Sequence, residues 1–202
     1  MRGQTRDRSR DHIIDAVLEL LGTGGYEAVQ LREVARRAHV SLATIYRQFP
    51  TRSDLVVDAL QRWMSETSYA PFARPEGGES LYEGLMRVFR HVFEPWERSP
   101  LMLQAFHMAL TGPGGDRLQL QGVHAVVPVA RGVLAEGDPA YVEDIELILT
   151  NMAYAVIGRF ADGELPITSI LPSLERAVFR LTTNNEPAAR SGGRALPAGT
   201  DP

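Results

Sequence analysis

Ser41, Thr44, Tyr46, Arg47 and Arg52 place hydroxyl and guanidinium groups at short intervals, with the compact side chains of Leu42 and Ala43 among them. Hydroxyls and guanidinium forks donate to phosphate oxygens, and short side chains let a helix approach base edges in a major groove. Arg32 adds a basic group upstream of this run. Tyr46 has a second reading, as a half-buried aromatic of a small core. Arg6, Arg8 and Arg10 either reach a minor groove or remain solvated.

Covalent and metal chemistry have little to work with. The chain has no cysteine, which excludes disulfides, thiolate nucleophiles and cysteine-ligated metals. His91, His107 and His124 stand at no metal-ligand spacing and read as structural, surface or pocket-lining groups. The glycine-rich run from Gly112 to Gly115 lacks the strand and the Lys-Ser/Thr pair of a phosphate loop, so it reads as the end of a helix. No nucleophile elbow, zinc-protease or dinucleotide motif is present, and no cofactor is expected. The acids of the body, such as Glu143, Asp144 and Glu146, cluster on polar helix faces, which argues against an enzyme built on a helical bundle.

Charge is unevenly placed. The 202 residues carry a net charge of −4, yet residues 1–52 hold nine arginines against six acids and the remainder twelve against nineteen. A basic head before an acidic body permits nucleic-acid binding by the head and contradicts the broad basicity of an architectural DNA binder. All 21 basic residues are arginine, so any phosphate contact uses a guanidinium fork; a G+C-rich coding sequence would give the same composition. The N-terminus lacks the apolar stretch of a signal peptide and no run is long enough to span a membrane, which predicts a cytoplasmic protein.

The elements that must carry these groups are helices. Residues 1–10 are polar and read as a mobile arm. Ile13, Ile14, Val17, Leu18 and Leu21 then mark an amphipathic stripe ended by Gly22, Gly24 and Gly25. The segment LREVARRAHVSLATIYRQF, residues 31–49, predicts two short helices joined by a tight turn, with Ala35, Val40 and Ile45 at their contact and Ser41 as N-cap. Such a pair serves either as a packed bihelical unit or as a helix-turn-helix. Thr51 or Ser53 caps a fourth helix running to about Ser68. After the loop at 71–78 come helices over 81–96, 100–110 and 116–136, the last kinked by Pro128. Asp138-Pro139 opens the longest uninterrupted helix, and a final one runs from Thr168 to Thr182. Residues 185–202 read as a disordered tail. The expected architecture is all-α, about nine helices: a DNA-binding head over 1–52, joined by a fourth helix to a helical bundle for ligand binding and dimerisation over 53–184.

Residues 24–55, GGYEAVQLREVARRAHVSLATIYRQFPTRSDL, resemble the N-terminal signature of TetR-type transcriptional regulators. The shared features are an aromatic after glycine, a valine-alanine helix, a valine-serine turn, Thr-x-Tyr, Phe, then a basic residue and leucine. GGYEAVQLR with RSPLMLQAF further resembles the KstR-type steroid-catabolism repressors within that family. The chain departs from the pattern at three places. His39 stands where glycine is usual, at a turn residue favouring left-handed backbone angles, where histidine is among the better-tolerated replacements. Gln30 replaces the usual Thr or Ser cap of the second helix, and Arg52 replaces lysine.

The resemblance implies a ligand-responsive, homodimeric repressor of a palindromic double-stranded DNA operator. Thr44, Tyr46 and Arg52 would contact phosphates, and Ser41, Leu42 and Ala43 would approach base edges, with Arg32 and Arg47 beside them. Trp63, Phe89, Phe93, Trp96, Met102, Phe106 and Met152 are first of all core, and as a group they can line a cavity for a large apolar effector. The resemblance suggests a sterol-derived or fatty acyl-CoA. His107, Asn151, Tyr154 and Arg90 are the candidates for a polar head. Ile148, Met152, Ala155, Leu174, Ala177, Val178 and Leu181 on the last two helices are candidates for the dimer interface, though each equally suits ordinary core.

Overall fold

The computed structural model describes residues 2–72 and 78–183, with side chains from Arg8 onward. The tail expected at 185–202 and the side chain of Arg6 lie outside the described residues. Nine α-helices are present among the described residues, and no strand.

The first helix, α1 (Arg2–Gly24), begins earlier than its apolar pattern suggests. Tertiary partners hold residues that the sequence alone presents as a solvated arm. Gln48 Nε2 donates to Ser9 Oγ at 3.2 Å, and Arg10 pairs with Asp58 and lies over the Phe49 ring, 4.5 Å from its centroid. Gly25 at φ 71° ends α1, a backbone angle that costs glycine nothing. A single 3-10 turn (Tyr26–Ala28) leads into α2 (Leu31–Arg37) and α3 (Leu42–Gln48).

The α2–α3 turn has the expected strain: His39 is the only non-glycine residue with positive φ among those described, at 53°. Gln30 supplies no side-chain cap to α2, whereas Ser41 Oγ accepts from the Thr44 N–H at 3.1 Å and caps α3. Ala35 and Ala38 let the two backbones approach, and Val34, Ile45 and Phe49 fill the space between them and α1. In α4 (Arg52–Glu66) a capping box satisfies two orphan donors of the first turn: Thr51 accepts from the Asp54 N–H while Asp54 accepts from the Thr51 N–H.

The body follows as α5 (Leu81–Glu97), α6 (Pro100–Leu110), α7 (Gly115–Val133), α8 (Pro139–Ala161) and α9 (Ile170–Thr182), the last preceded by a 3-10 turn at Ile167–Ser169. Ser80 and Glu83 form a second capping box at α5, and Asp138 caps α8 ahead of Pro139. Central in the fold, α6 touches α1, α4, α5, α7 and α8. One apolar core therefore runs without interruption from Ile13 in the head to Leu174 in α9. A second cluster, around Leu85, Leu134, Ile145 and Val178, closes the far end of the body. No helix among the described residues is long and apolar enough to cross a membrane.

Candidate nucleic-acid interface and ligand cavity

α3 divides cleanly between inside and outside. Ile45 is fully buried, while Ser41, Ala43, Tyr46 and Arg47 are exposed and Leu42 and Thr44 half-buried. Tyr46 is 56% exposed, which removes it from the core of the head. Arg32 and Arg47 are both exposed on the head's short helices, and neither has a hydrogen-bond or ion-pair partner among the described residues. Thr44 Oγ1 lies 3.0 Å from Ser41 Oγ, so these two hydroxyls are mutually oriented at the helix start. The arrangement leaves donors free on one face of a two-turn helix whose other face is locked into the core.

Arg52 does not join this free set. Its Nε donates to the Val29 carbonyl at 2.6 Å, its Nη2 to the Tyr26 carbonyl at 2.5 Å, and its guanidinium lies 4.4 Å from the centre of the Tyr26 ring. It fastens the α1–α2 connection to the start of α4, and so fixes how the reading helix pair sits on the helix that enters the body. Charge-assisted hydrogen bonds of this kind contribute about 1.5–3 kcal/mol, so Arg52→Ala is expected to destabilise the protein by about 2 kcal/mol and Arg52→Lys to recover less than half of that. Thermal melting checks it; an unchanged melting temperature for Arg52→Ala would show that the contact contributes nothing.

A second set of ion pairs ties α2 to α1. Glu33 accepts from Arg36 at 2.6 and 2.9 Å and from Arg37 at 2.7 Å, and Arg37 also donates to Glu19 at 2.6 Å. The hydrogen bonds from Arg36 and Arg37 hold the Glu33 carboxyl down at about 2, against an ordinary 4.5. A folded-state pKa below the unfolded value stabilises above the unfolded value, and that stabilisation is lost as pH falls through the folded one. Wild type should therefore melt above Glu33→Gln at pH 6, and the difference should vanish between about 4.5 and 2. A difference constant with pH would assign the effect to something other than ionisation.

Head and body are joined by more than the chain. Asp58 in α4, its side chain 13% exposed, pairs with Arg10 of α1 and with Arg117 of α7. Arg117 Nη2 also donates to Gln61 Oε1 at 2.7 Å, and Gln121 Nε2 to the Gln61 carbonyl at 2.9 Å and to Ser65 Oγ at 2.8 Å. This polar ladder fixes α7 along α4. Nothing in the sequence marks Asp58 as its hub, because a lone carboxylate on a helix looks like any solvated one.

α7 presents its other side to a cavity of about 140 Å³ walled by α5, α6, α7 and α8. Phe89, Phe93, Trp96, Phe106 and Tyr154 line it, as the sequence predicts for them. The remaining candidates do not. Met102 is buried off the cavity and Met152 packs on the core. Trp63 stands behind the wall, its ring 4.3 Å from that of Trp96, which in turn packs 5.3 Å from Phe106. His107 lies against α8 near Gly158, Asn151 is exposed and donates to the Leu147 carbonyl at 2.7 Å, and Arg90 is exposed beside Glu175 at 3.6 Å. Sequence reasoning missed Tyr69, from the α4–α5 connection, and the α7 wall of Gly122, Val126, Val127 and Ala130. Val123 and Thr150 are lining residues that are also exposed, so the cavity reaches the surface between α7 and α8. Arg131 spans that opening, its Nε donating to Glu146 Oε1 at 2.5 Å and holding the Glu146 carboxyl below the usual range.

The dimer candidates separate in the same way. Leu174 and Val178 are fully buried, covered by the chain's own α5 and α8, and so are core residues unavailable to a partner. Ile148 is 44% exposed, Ala155 is exposed, and Met152, Ala177 and Leu181 are half-buried. Leu147 and Phe179, exposed at 62% and 53%, extend the apolar surface of α8 and α9.

These features define a helix-turn-helix protein whose α-helical body encloses an apolar cavity. Residues 13–59 match the family model described as "Bacterial regulatory proteins, tetR family", and residues 78–181 match "Tetracyclin repressor-like, C-terminal domain". The chain belongs to the TetR family. It is 37% identical over 100 residues to the HTH-type transcriptional repressor KstR of Rhodococcus jostii (strain RHA1), a match covering 50% of this chain and 46% of that one. It is 36% identical over 100 residues to KstR of Mycolicibacterium smegmatis, covering 50% and 49%. The matched segment thus spans about half the length of these curated relatives. A TetR transcriptional regulator from Rhodococcus sp. RHA1 shares the fold, with a TM-score of 0.67 over 90% of this chain and 97% of that one at 20% identity.

Proposed function

We propose that the chain is a homodimeric repressor that reads a palindromic operator through α3 and leaves it when an apolar effector occupies the cavity between α5 and α8. The observation that carries the reading is the free face of α3. A 56% exposed tyrosine, an unpartnered Arg47 and the short side chains of Ser41 and Ala43 share the open side of a helix whose opposite side is immobilised in the core. Tyr46, Thr44, Arg32 and Arg47 contact phosphates; Ser41, Leu42 and Ala43 meet base edges. The internal partners of Arg52 support a positioning role for it in place of a phosphate contact. The names of the curated relatives agree with repression.

The cavity supports the switching half. At about 140 Å³ it holds a group the size of a benzene ring. A bulkier effector, such as the acyl part of a sterol-derived or fatty acyl thioester, enters by parting α7 from α8. Because Arg117 and Gln121 fasten α7 to α4, and Trp63 of α4 packs against the cavity residue Trp96, a displaced α7 moves the helix that carries the head. Tenfold loss of operator affinity needs about 1.4 kcal/mol of coupling between the two sites.

In-vitro selection from a random duplex library tests the reading. It is expected to enrich an inverted repeat, bound with a salt dependence set by the number of phosphates neutralised. Arg47→Ala is expected to flatten that dependence by about 0.9 for each phosphate the variant no longer neutralises. Recovery of no common sequence would overturn it.

A further inference from the structure

The polar groups of the cavity specify more than an apolar ligand. Besides the indole N–H of Trp96, its wall holds four polar side chains, Tyr69, Glu146, Thr150 and Tyr154, and no arginine or histidine. Glu146 already has Arg131 as its partner, and Thr150 is exposed at the opening. The two tyrosines differ from these. Both residues are half-buried, and neither hydroxyl has a hydrogen-bond partner among the described residues, so each is free to donate to a ligand. Both line the one cavity, Tyr69 from the α4–α5 connection and Tyr154 from α8, and burial pushes both above their ordinary range, so both stay protonated donors. Gly122 makes room for this: a Cβ there would stand 2.9 Å from the Tyr69 hydroxyl oxygen.

Resting on the reading of this cavity as the effector site, we infer that it takes the uncharged end of a ligand carrying one hydrogen-bond acceptor, a ketone or hydroxyl oxygen, held at the Tyr69 and Tyr154 hydroxyls. A carboxylate or phosphate inside the cavity would lose its water without meeting a cation in the wall, which also holds the Glu146 carboxylate; Arg117 and His124 lie with Tyr69 in a separate groove between α4 and α7. An effector with an anionic portion therefore keeps that portion outside the α7–α8 opening. Neither Arg90 nor His107, the cationic candidates for a polar head, lines the cavity.

The test uses three ligands of similar length, each larger than a benzene ring and so reaching the cavity through the α7–α8 opening: the methyl ketone octanone, the carboxylate octanoate and the hydrocarbon butylbenzene. Each is titrated into the full chain at neutral pH. Trp96 lines the cavity, so tryptophan fluorescence reports binding without DNA. Octanone and butylbenzene are expected to bind, with octanoate at least about tenfold weaker than octanone. Tyr69→Phe with Tyr154→Phe is expected to weaken octanone about tenfold and to leave butylbenzene within about twofold, which also reports that the variant is folded. Octanoate binding as tightly as octanone, or a double variant that keeps its octanone affinity, overturns the inference while leaving the cavity a ligand site. Failure of both octanone and butylbenzene to bind overturns the effector-site reading as well.

Discussion

Ala43→Glu is expected to reduce operator affinity by about 100-fold or more with no loss of stability. Ala43 is exposed at the second position of α3, away from the core that Ile45 anchors. A carboxylate there points at the groove and at phosphate charge. A disturbed base contact costs about 1–3 kcal/mol, and a dimer makes the contact twice, giving about 2–6 kcal/mol. Folding should not suffer, because an acid in the first turn of a helix is favourable to the helix dipole and exposed substitutions stay within about 0.5 kcal/mol. Anisotropy on a selected duplex, with melting measured in parallel, separates the two effects. Wild-type affinity in this variant would remove α3 from the interface.

Ile148→Glu is expected to yield a monomer by sedimentation and to weaken operator binding by about 10²–10⁴, the avidity that disappears when two heads are no longer linked. Ile148 projects from α8 at 44% exposure, on the same stripe as Met152 and Ala155, and does not line the cavity. Burying two new carboxylates across a two-fold contact is what breaks it, since an isologous interface brings every substitution in twice. A dimer that survives the change would move the interface off this stripe of α8.

Where a residue's role is decided by its own helix, the sequence alone is informative. The helix-turn-helix spacing, the Ser41 cap, the left-handed turn at His39 and the Asp138-Pro139 helix start each depend on a few neighbouring residues, and each is in place. Roles decided by a distant partner are hidden. The internal contacts of Arg52 are not legible, because nothing in the sequence announces that the Tyr26 and Val29 carbonyls lie within its reach. Residues 1–10 read as an arm because Gln48 and Asp58, which hold Ser9 and Arg10, come 39 and 48 residues later. The apolar stripes of α8 and α9 are legible as stripes, but periodicity does not say what covers them. Leu174 and Val178 lie under the chain's own helices, whereas Ile148 is exposed. The cavity is half legible for the same reason: its α5 aromatics stand out by type, whereas Tyr69 sits in a connection with no pattern to read.

In the proposed complex two copies of α3 enter successive major grooves of one operator. Hydroxyl-radical footprinting of the selected duplex measures this directly. Two protected segments are expected, related by the symmetry of the inverted repeat, their centres about 34–36 Å apart or a multiple of that, and both abolished together in Ala43→Glu. A single protected segment, or a footprint unchanged by that substitution, would contradict it.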